Sequence, residues 1–450
     1  MSAVIKLKRG LDIKLKGAAR NSLGKEITSV EFGIRPQEFP GIIPKLCVKP
    51  GEQVKAGSAL FFDKARPDIK FSSPVSGVVK AVNRGEKRKI LEIVVERSGD
   101  EYIDFGKSEI DVISREEIKN RMLQAGLWPL IRQRPYHIIA DPGGVPKSIF
   151  ISGFDTAPLA PDLDFIIGNS SMEHFQAGIN IISKLTDGKI YLVLNGGTAV
   201  QNALKDVKGV EVKYVSGPHP AGNVGVQIHH IDPVNKGDTV WYLNIQDIIT
   251  TGLFFTEGIY KHDRIIALTG SEVVDPQYYR IRSGASIREL VEGNVKEGNL
   301  RFISGNVLTG TRIEKDGFLG LYDSVVTVIP EGDYFEFFGW IMPGFNKYSF
   351  SKTYMSSIFR KKSYKLDTNL HGGYRAFVMT GQYEKVLPMD IYPMQLLKAI
   401  IAEDIDGMEN LGIYEIAEED FALCEFICPS KTEIQSIVRQ GLDLMVKEMN

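Results

Sequence analysis

Two cysteines near the carboxyl terminus have the spacing of the last two ligands in a four-iron cluster motif. The motif Cys-x-x-Cys-x-x-Cys-x-x-x-Cys-Pro would also need cysteines at positions 418 and 421, where Glu418 and Phe421 stand, before Cys424 and Cys428. Two thiolates cannot hold a cubane cluster that normally requires four. A redox pair of Cys424 and Cys428 stays open, but a spacing of four on one helical face favours two small core residues.

Three histidines in the middle of the chain are candidates for metal ligands. His219 stands apart from the adjacent pair His229 and His230, and no carboxylate or cysteine lies at a ligand spacing from them. If the pair lies on a strand, the two side chains point to opposite faces and cannot share an ion. The sequence therefore predicts ordinary hydrogen-bonded histidines and no metal site.

Bulk composition excludes several classes of protein. The chain of 450 residues is 43% hydrophobic and 24% charged, which suffices for several domains, and its net charge of −2 gives no basic field for nucleic acid. Three cysteines fit a reducing compartment and favour the cytoplasm. The amino terminus lacks the apolar run of a signal peptide, and no window is apolar enough for a membrane-spanning helix. If the protein works at a membrane, we expect other chains to hold it there.

The cysteines and histidines must be positioned by the elements of the fold. We expect an amino-terminal strand or arm over 1–35, followed by a small β domain over 36–100. Short runs with period-2 apolar patterning alternate with Pro-Gly, Ala-Gly and Ser-Gly turns in the second of these regions. Its string V-x-P-G-E-x-V-x-A-G-x-x-L, followed by S-P-V-S-G-V-V, resembles the barrel-sandwich fold of lipoyl and biotinyl domains.

That resemblance raises the question of a carrier lysine. Asp63-Lys64-Ala65 matches the hairpin in which lipoyl domains place their modified lysine. However, Phe61 stands where such hairpins usually carry an acidic residue, and Pro67 follows soon after the lysine. We expect a hairpin kept for its turn geometry, with attachment of a lipoyl or biotinyl group to Lys64 as the alternative.

Residues 101–255 are predicted to form a Rossmann-like α/β domain. Strand-like runs ending in glycine alternate with helical segments, which indicates a mostly parallel sheet covered by helices. Ligands of such sheets bind beyond the carboxyl ends of the strands, which here carry Gly153–Asp155, Asn195–Thr198 and Ser216–Gly222. The glycines after the last of these strands do not keep the Gly-x-Gly-x-x-Gly spacing, so a conventional NAD fingerprint is absent.

Two further regions complete the α/β multidomain architecture. Residues 256–335 resemble the soluble-ligand-binding β-grasp module through V-x-x-P-Q-Y-Y-R-I-R-S-G-A-S-I-R-E-L, and Arg280, Arg282 and Arg288 are expected on a solvated face. Residues 336–450 begin with a segment rich in aromatic and turn-forming residues and continue as amphipathic helices. This pattern predicts a helical, degenerate ferredoxin-like domain. Those helices could pack on each other or against another protein of a complex.

The chain as a whole resembles the A-subunit family of the sodium-translocating NADH:quinone reductases. The segments that carry the resemblance are spread over nearly the full length: GLDIKLKGA at 10–18, FFDKARPDIKFSSPVSG at 61–77, NRGEKR at 83–88, GLWPLIRQRP at 126–135, GPHPAG at 217–222, ISGNVLTGT at 303–311, FGWIMPG at 338–344 and EEDFALCEFICP at 418–429. More distantly, the layout is similar to the C subunit of the Rnf complex and to the flavin-carrying, NADH-oxidising subunit of complex I.

The distant relatives carry a glycine-rich loop whose backbone approaches the flavin phosphate. The corresponding place here, 125–135, reads AGLWPLIRQRP, so bulky side chains and two prolines occupy the cradle. The resemblance therefore implies no catalytic residue and no cofactor on this chain. Quinone would be the substrate, and NADH, flavins and iron–sulfur centres would belong to partner subunits.

The resemblance also implies a role in quinone binding. A quinone head group needs apolar walls and one or two donors for its carbonyl oxygens. The predicted site has aromatic or aliphatic walls, two guanidinium donors and a cap: Trp128, Leu130 and Tyr136 as walls, Arg132 and Arg134 as donors, and Phe39 to Gly41 as the cap. The alternative places the aromatic residues in a domain interface.

The implied partners are the other subunits of the reductase, especially integral membrane ones, on the cytoplasmic face of the bacterial inner membrane. A purely structural docking subunit without a ligand is the competing function. The resemblance leaves ubiquinone and menaquinone open as substrates, leaves open whether quinone binds this chain or a neighbour, and places the sodium path in the membrane subunits.

Overall fold

The strands assemble into four sheets in the computed structural model, which describes residues 4–197, 202–339, 341–358 and 363–449. The strands, in chain order, are β1 (Val4–Lys6), β2 (Glu31–Ile34), β3 (Pro44–Leu46), β4 (Gln53–Val54), β5 (Ala59–Asp63), β6 (Lys70–Ser72), β7 (Gly77–Arg84), β8 (Ile90–Arg97), β9 (Arg132–Arg134), β10 (Ile138–Ile139), β11 (Ser148–Ser152), β12 (Lys189–Asn195), β13 (Glu211–Ser216), β14 (Val240–Asn244), β15 (Asp263–Thr269), β16 (Gln277–Arg282), β17 (Leu300–Ser304), β18 (Thr311–Ile313) and β19 (Val325–Pro330).

The helices stand mainly between the strands of one sheet and at the carboxyl terminus. In chain order they are α1 (Arg115–Ala125), α2 (Leu163–Gly168), α3 (Met172–Ile182), α4 (Asn202–Lys205), α5 (Val224–Ile231), α6 (Ile245–Glu257), α7 (Arg288–Val291), α8 (Pro393–Ile401), α9 (Ile405–Asn410), α10 (Ala422–Ile427) and α11 (Ile434–Met449).

The small β domain consists of two antiparallel sheets with the orders β2-β8-β7-β4 and β3-β5-β6. Apolar side chains of both sheets belong to one core, in which Leu60, Phe61 and Val79 are fully buried. This confirms the small, tightly turned β domain that the period-2 patterning predicts.

The hairpin at Lys64 is held by the preceding aspartate. The buried Asp63 carboxylate accepts hydrogen bonds from the backbone N–H groups of Ile43 and Ala65, at 3.1 and 3.2 Å. Lys64 itself is exposed just after β5. These contacts support the turn-geometry interpretation of Asp63-Lys64-Ala65.

The α/β domain is built on a seven-stranded sheet with the order β1-β13-β12-β11-β14-β9-β10. The first five strands are parallel, while β9 and β10 are antiparallel at one edge, which confirms the mostly parallel sheet. The amino-terminal segment contributes β1, which pairs with β13 and so covers that sheet edge.

The order of the strands creates a switch point at the centre of this sheet. From β11 the chain moves to β12 and β13 on one side, and then returns to β14 on the other side of β11. The connections that leave the carboxyl ends of β11 and β14 therefore diverge, and a crevice opens between them.

The third domain has a mixed sheet of order β16-β15-β19-β17-β18, with β15 and β19 parallel and the short helix α7 beside it. The solvated face predicted for its arginines is correct only for Arg288, which pairs with Asp316 at 3.1 Å. It is wrong for Arg282, because this guanidinium donates to the Tyr102 hydroxyl at 3.2 Å and to the Pro74 carbonyl at 3.4 Å, and so ties the third domain to the small β domain and the segment that follows it. Arg280 likewise donates to the Asn169 carbonyl at 3.1 Å.

The carboxyl-terminal helices cover one face of the α/β sheet, and α3 and α6 cover the other. The apolar faces of α8 and α11 pack on each other, which confirms that interpretation of their periodicity. Cys424 on α10 and Cys428, just beyond its end, are fully buried in the same core, as expected for small core residues. No helix within the described ranges is long and apolar enough to cross a membrane.

Candidate functional site

A cavity of about 480 Å³ lies at the switch point of the sheet. The residues that follow β11 and those that follow β14, namely Phe154, Asp155, Ile245 and Gln246, form part of its wall. The predicted carboxyl-end residues 153–155 and 216–222 contribute through Phe154, Asp155, His219 and Gly222. Thr198, the last residue of the middle predicted segment, lies outside the described residues.

Every part of the chain contributes to this cavity. Arg35, Gln37, Glu38 and Pro40 line it from the amino-terminal side. The third domain contributes Gly305, Asn306, Thr309, Thr311, Gly320 and Tyr322 to Val325, and the carboxyl-terminal region contributes Glu418, Glu419 and Gln435. The site is therefore an interface of the domains as well as a strand-end site, which are two common settings for ligand pockets.

Arg132 is the cation that β9 presents to this cavity. Its guanidinium carbon lies 4.7 Å from the ring centroid of Tyr242 and 4.3 Å from that of Tyr322. Among the described residues, no carboxylate forms an ion pair with Arg132, and its Nε is buried without a hydrogen-bond partner. A guanidinium held between two aromatic faces thus keeps unused donor capacity.

The two tyrosines remain neutral beside this cation. Burial raises the pKa of Tyr242 to about 12, and burial also raises the pKa of Tyr322. The Tyr322 hydroxyl donates to the Pro129 carbonyl at 2.6 Å, which fixes its ring against Arg132. The ring faces make the close contacts to Arg132, and the carboxylates that act on its charge, Glu419 and Asp247, form no direct ion pair with it.

His137 connects Arg132 with the carboxyl-terminal region. Arg132 Nη1 lies 3.3 Å from His137 Nε2, and His137 Nδ1 lies 2.9 Å from the Glu418 carboxylate. Glu418 also accepts from Arg439 at 3.2 Å. Burial opposes the charge of Glu418, but His137 and Arg439 hold the pKa of its carboxyl group well below its usual range. Position 418, which lacks the cysteine of a cluster motif, thus carries an anion that orients the cavity wall.

Arg134 does not reach the cavity. It is fully buried and pairs with Glu419 at 2.9 Å and with Asp420 at 3.3 Å. Arg134 therefore forms a buried ion pair that joins β9 to the carboxyl-terminal region, and it does not act as a donor to a ligand.

Three further carboxyl groups line the cavity and have raised pKa values. Burial raises the pKa of Glu38, of Asp155 and of Asp323. Glu38 is bonded to Arg35 at 2.5 Å and to the Leu321 N–H at 2.9 Å, and Asp323 accepts from Ser304. The cavity therefore combines acidic groups with one unpaired guanidinium.

The other residues of the predicted quinone site surround the cavity without lining it. Trp128 and Leu130 are core residues, with the Trp128 indole donating to the Ala140 carbonyl at 2.8 Å and meeting Trp241 at 5.5 Å edge to face. Tyr136 meets Tyr414 at 6.1 Å.

The predicted cap lies at the wall of the cavity. Pro40 lines the cavity, while the Phe39 ring turns inward and packs on Phe71 at 4.5 Å. Gly41 is exposed, with a φ of 78° that favours glycine. Of the predicted site, the structure therefore brings Arg132 and the segment around Pro40 to the cavity.

The histidine pair lies on a helix, so its placement on a strand is wrong: His229 and His230 belong to α5. Both are hydrogen-bonded as expected, since His229 Nδ1 lies 2.6 Å from Glu415 and His230 Nε2 lies 2.7 Å from the Pro388 carbonyl. No group of three or more potential ligands in the described part of the chain is arranged to hold a metal ion.

Family models match most of the chain. The model described as "NqrA N-terminal barrel-sandwich hybrid domain" matches residues 5–98, "NqrA second alpha/beta domain" matches 113–260, and "NQRA C-terminal domain" matches 265–315. These matches confirm the barrel-sandwich prediction for the amino-terminal domain and the α/β prediction for the second.

The curated relatives are similar over their full length. The A subunits of the Na(+)-translocating NADH-quinone reductases from Yersinia pestis and from Haemophilus influenzae are 41% and 39% identical to this chain over 451 residues, and the one from Photorhabdus laumondii is 39% identical over 449. Each alignment covers 99% of this chain and 100% of the relative. A solved NAD+-reducing [NiFe]-hydrogenase is 12% identical, with a TM-score of 0.37 over 73% of this chain and 66% of that one.

Proposed function

Because the chain belongs to the A-subunit family of the Na(+)-translocating NADH-quinone reductases, we propose that it serves this enzyme as a peripheral, cofactor-free subunit on the cytoplasmic face of the membrane. In this proposal it contributes to quinone binding and to assembly, and NADH, flavins and iron–sulfur centres are bound by its partners. The isolated chain is then not catalytic by itself.

Arg132 is the observation that carries the quinone part of the proposal. A quinone carbonyl oxygen is a neutral acceptor, and an unpaired guanidinium with an unused N–H is a strong donor for it. The ring of Tyr322 and the side chains of Phe154 and Ile138 offer apolar walls in the same cavity. Trp128 and Leu130 are core residues on either side of Pro129, whose carbonyl holds Tyr322, and Arg134 and Tyr136 contact the carboxyl-terminal region.

An exposed apolar segment supports the assembly part. Between residues 334 and 379, several large apolar side chains are more than half exposed: Phe335, Phe337, Ile341, Met342, Ile358, Tyr374 and Met379. A concentration of this kind is unusual on a soluble surface and is typical of a protein interface. We propose that it contacts the integral membrane subunits.

The first experiment is to tag the chain in its own host, solubilise the membranes in mild detergent, and assay the purified material for sodium-stimulated NADH:quinone reduction. Phe335→Asp should lower the yield of the assembly, because Phe335 is fully exposed in the chain alone. Val112→Asp is the matched control, since Val112 is 75% exposed but lies outside this segment. Equal loss in both variants, or a lone chain without activity, contradicts the proposal.

The relationships of the individual domains to known folds are also proposed. We infer a lipoyl/biotinyl-like origin for the barrel-sandwich domain, a Rossmann-like one for the α/β domain and a β-grasp one for the third. The supporting observations are the hairpin at Lys64, the switch point between β11 and β14, and the sheet of order β16-β15-β19-β17-β18 with a parallel central pair.

A further inference from the structure

His219 has one ring nitrogen that no group in the described structure satisfies. The residue lines the cavity and is 3% exposed, and its Nε2 atom is buried without a hydrogen-bond partner among the described residues. A buried polar group left without a partner costs about 1–3 kcal/mol, so such groups usually have a ligand or water in the working protein.

The neighbours of the ring indicate what this nitrogen can do. His219 Nδ1 lies 3.1 Å from the Thr156 hydroxyl, which already accepts a hydrogen bond from the Gly222 N–H at 2.9 Å. The hydroxyl proton remains available for Nδ1, and an acceptor role for Nδ1 puts the ring proton on Nε2. Burial also lowers the pKa of His219 to about 4, so the ring is neutral at physiological pH.

The loop that holds the ring is fixed on several sides. The His219 backbone N–H donates to Asp12 at 2.9 Å, and Gln227 Nε2 donates to the Gly222 carbonyl at 3.2 Å and to Ser152 at 2.9 Å. At Gly222 a side chain would stand 2.6 Å from the backbone nitrogen of Thr156, so only glycine allows the two loops to approach. The donor at Nε2 is therefore held in place before any ligand binds.

The carboxylates around this donor favour a neutral ligand over an anionic one. Asp155 and Glu419 line the same cavity, and the charge of Glu419 acts on both Asp155 and His219. The carboxylates would repel a phosphate. A cation would face the Nε2–H group, which offers no lone pair to coordinate it. A neutral oxygen acceptor meets neither obstacle.

We propose that His219 Nε2–H is a binding donor for a neutral carbonyl oxygen of the ligand that occupies the switch-point cavity. This inference rests on the proposed quinone function and deepens it, because it adds a second donor to the cavity that Arg132 also lines, for a head group that has two carbonyl oxygens. It also distinguishes the cavity from the phosphate-binding sites that other strand-end crevices form.

The direct test follows the His219 ring by proton–nitrogen NMR on the full chain labelled with nitrogen-15 in its seven histidines, with assignment from a His219→Gln sample. The probes are 2,3-dimethoxy-5-methyl-1,4-benzoquinone and, separately, inorganic phosphate. We expect an Nε2-protonated ring in the free protein, a shift of its proton resonance with the quinone, and no shift with phosphate.

Affinity gives a second readout. His219→Leu removes the donor and should weaken quinone binding about tenfold, while His219→Gln keeps an N–H donor and should stay within about threefold of wild type. If His219→Leu does not fold, the NMR experiment on the wild-type chain still tests the inference.

The outcomes separate this inference from the proposed function. Quinone binding with an unchanged His219 resonance overturns the inference and leaves quinone binding by this chain intact. A shift caused by phosphate overturns it as well, because the ligand would then be an anion. Absence of any quinone binding to the chain overturns both.

Discussion

The guanidinium of Arg132 lies 4.3 Å from the ring centroid of Tyr322, and this contact joins β9 of the α/β domain to the third domain. The two residues are far apart in sequence, and Tyr322, unlike Arg132 in the segment 126–135, has no local pattern that marks it as functional. Their contact gives the cavity an unpaired cation on a neutral aromatic face. Substitutions at either residue should therefore change ligand binding.

Removing the ring should weaken the site more than removing its hydroxyl. Tyr322→Leu takes away the face against Arg132 and is expected to lower quinone affinity about fivefold, the equivalent of a cation–π contact of roughly 1 kcal/mol. Tyr322→Phe keeps the ring and loses only the bond to the Pro129 carbonyl. Dissociation constants for a short-chain quinone measure the difference, and equal values for the two variants would argue against a role of the ring.

The buried pair of Arg134 and Asp420 should matter for folding and not for ligand donation. Arg134→Met leaves Asp420, which is 1% exposed, without its cation, and we expect a loss of about 3 kcal/mol in the free energy of unfolding. Urea denaturation measures this loss. Arg288→Gln is the control: its ion pair is 59% exposed at both ends and should contribute less than about 1 kcal/mol. A similar small loss in both variants would contradict the assignment.

His219 predicts a specific pH dependence of stability. Its folded-state pKa of about 4 lies below the ordinary 6.5, so between these values the unfolded chain binds more protons than the folded one. The contribution of neutral His219 to the free energy of unfolding is fully present above pH 6.5. It is lost as the pH falls toward 4, by up to about 3 kcal/mol. Because buried carboxylates also titrate in acid, the quantity to compare is the difference between wild type and His219→Gln across this window. A constant difference would show that His219 is not buried in its neutral form.

Lys64 should carry no modification. The hydrogen bonds of Asp63 account for the hairpin without a prosthetic group, so the intact mass of the protein from its own host should equal the sequence mass. Lys64→Arg should then leave the activity of the assembled enzyme unchanged. A mass increase that matches a lipoyl or biotinyl group, and that disappears in the variant, would restore the carrier hypothesis.

Much of the architecture could be predicted from the sequence because its signals are local. The apolar runs at β11 and β12 are buried strands, the run at β13 is a mostly half-buried strand, and the apolar periodicity of α8 and α11 is that of packed helices. Helix α5 is not predicted by its pattern, because Val224, Val226 and Ile228 alternate as they would in a strand. Residues 224–228 are all buried, so the segment has no polar face to mark the helical period.

The composition of the cavity could not be predicted in the same way. The strand-end rule located Asp155 and His219, but Tyr322 and Glu418 reach the cavity from other domains through tertiary packing alone. Conversely, the aromatic and apolar character of Trp128 and Leu130 suits a ligand wall and a protein core equally well, and their burial places them in the core.

The most direct test of the account is the binding of a short-chain quinone to the purified full chain, by calorimetry, for wild type, Arg132→Gln and Arg288→Gln. We predict saturable binding at one site, an affinity loss of about tenfold or more in Arg132→Gln, and no change in Arg288→Gln, whose side chain is exposed and is not part of the cavity lining. Binding that survives Arg132→Gln unchanged, or a wild-type chain that binds no quinone, would contradict the assignment of the switch-point cavity as the quinone site.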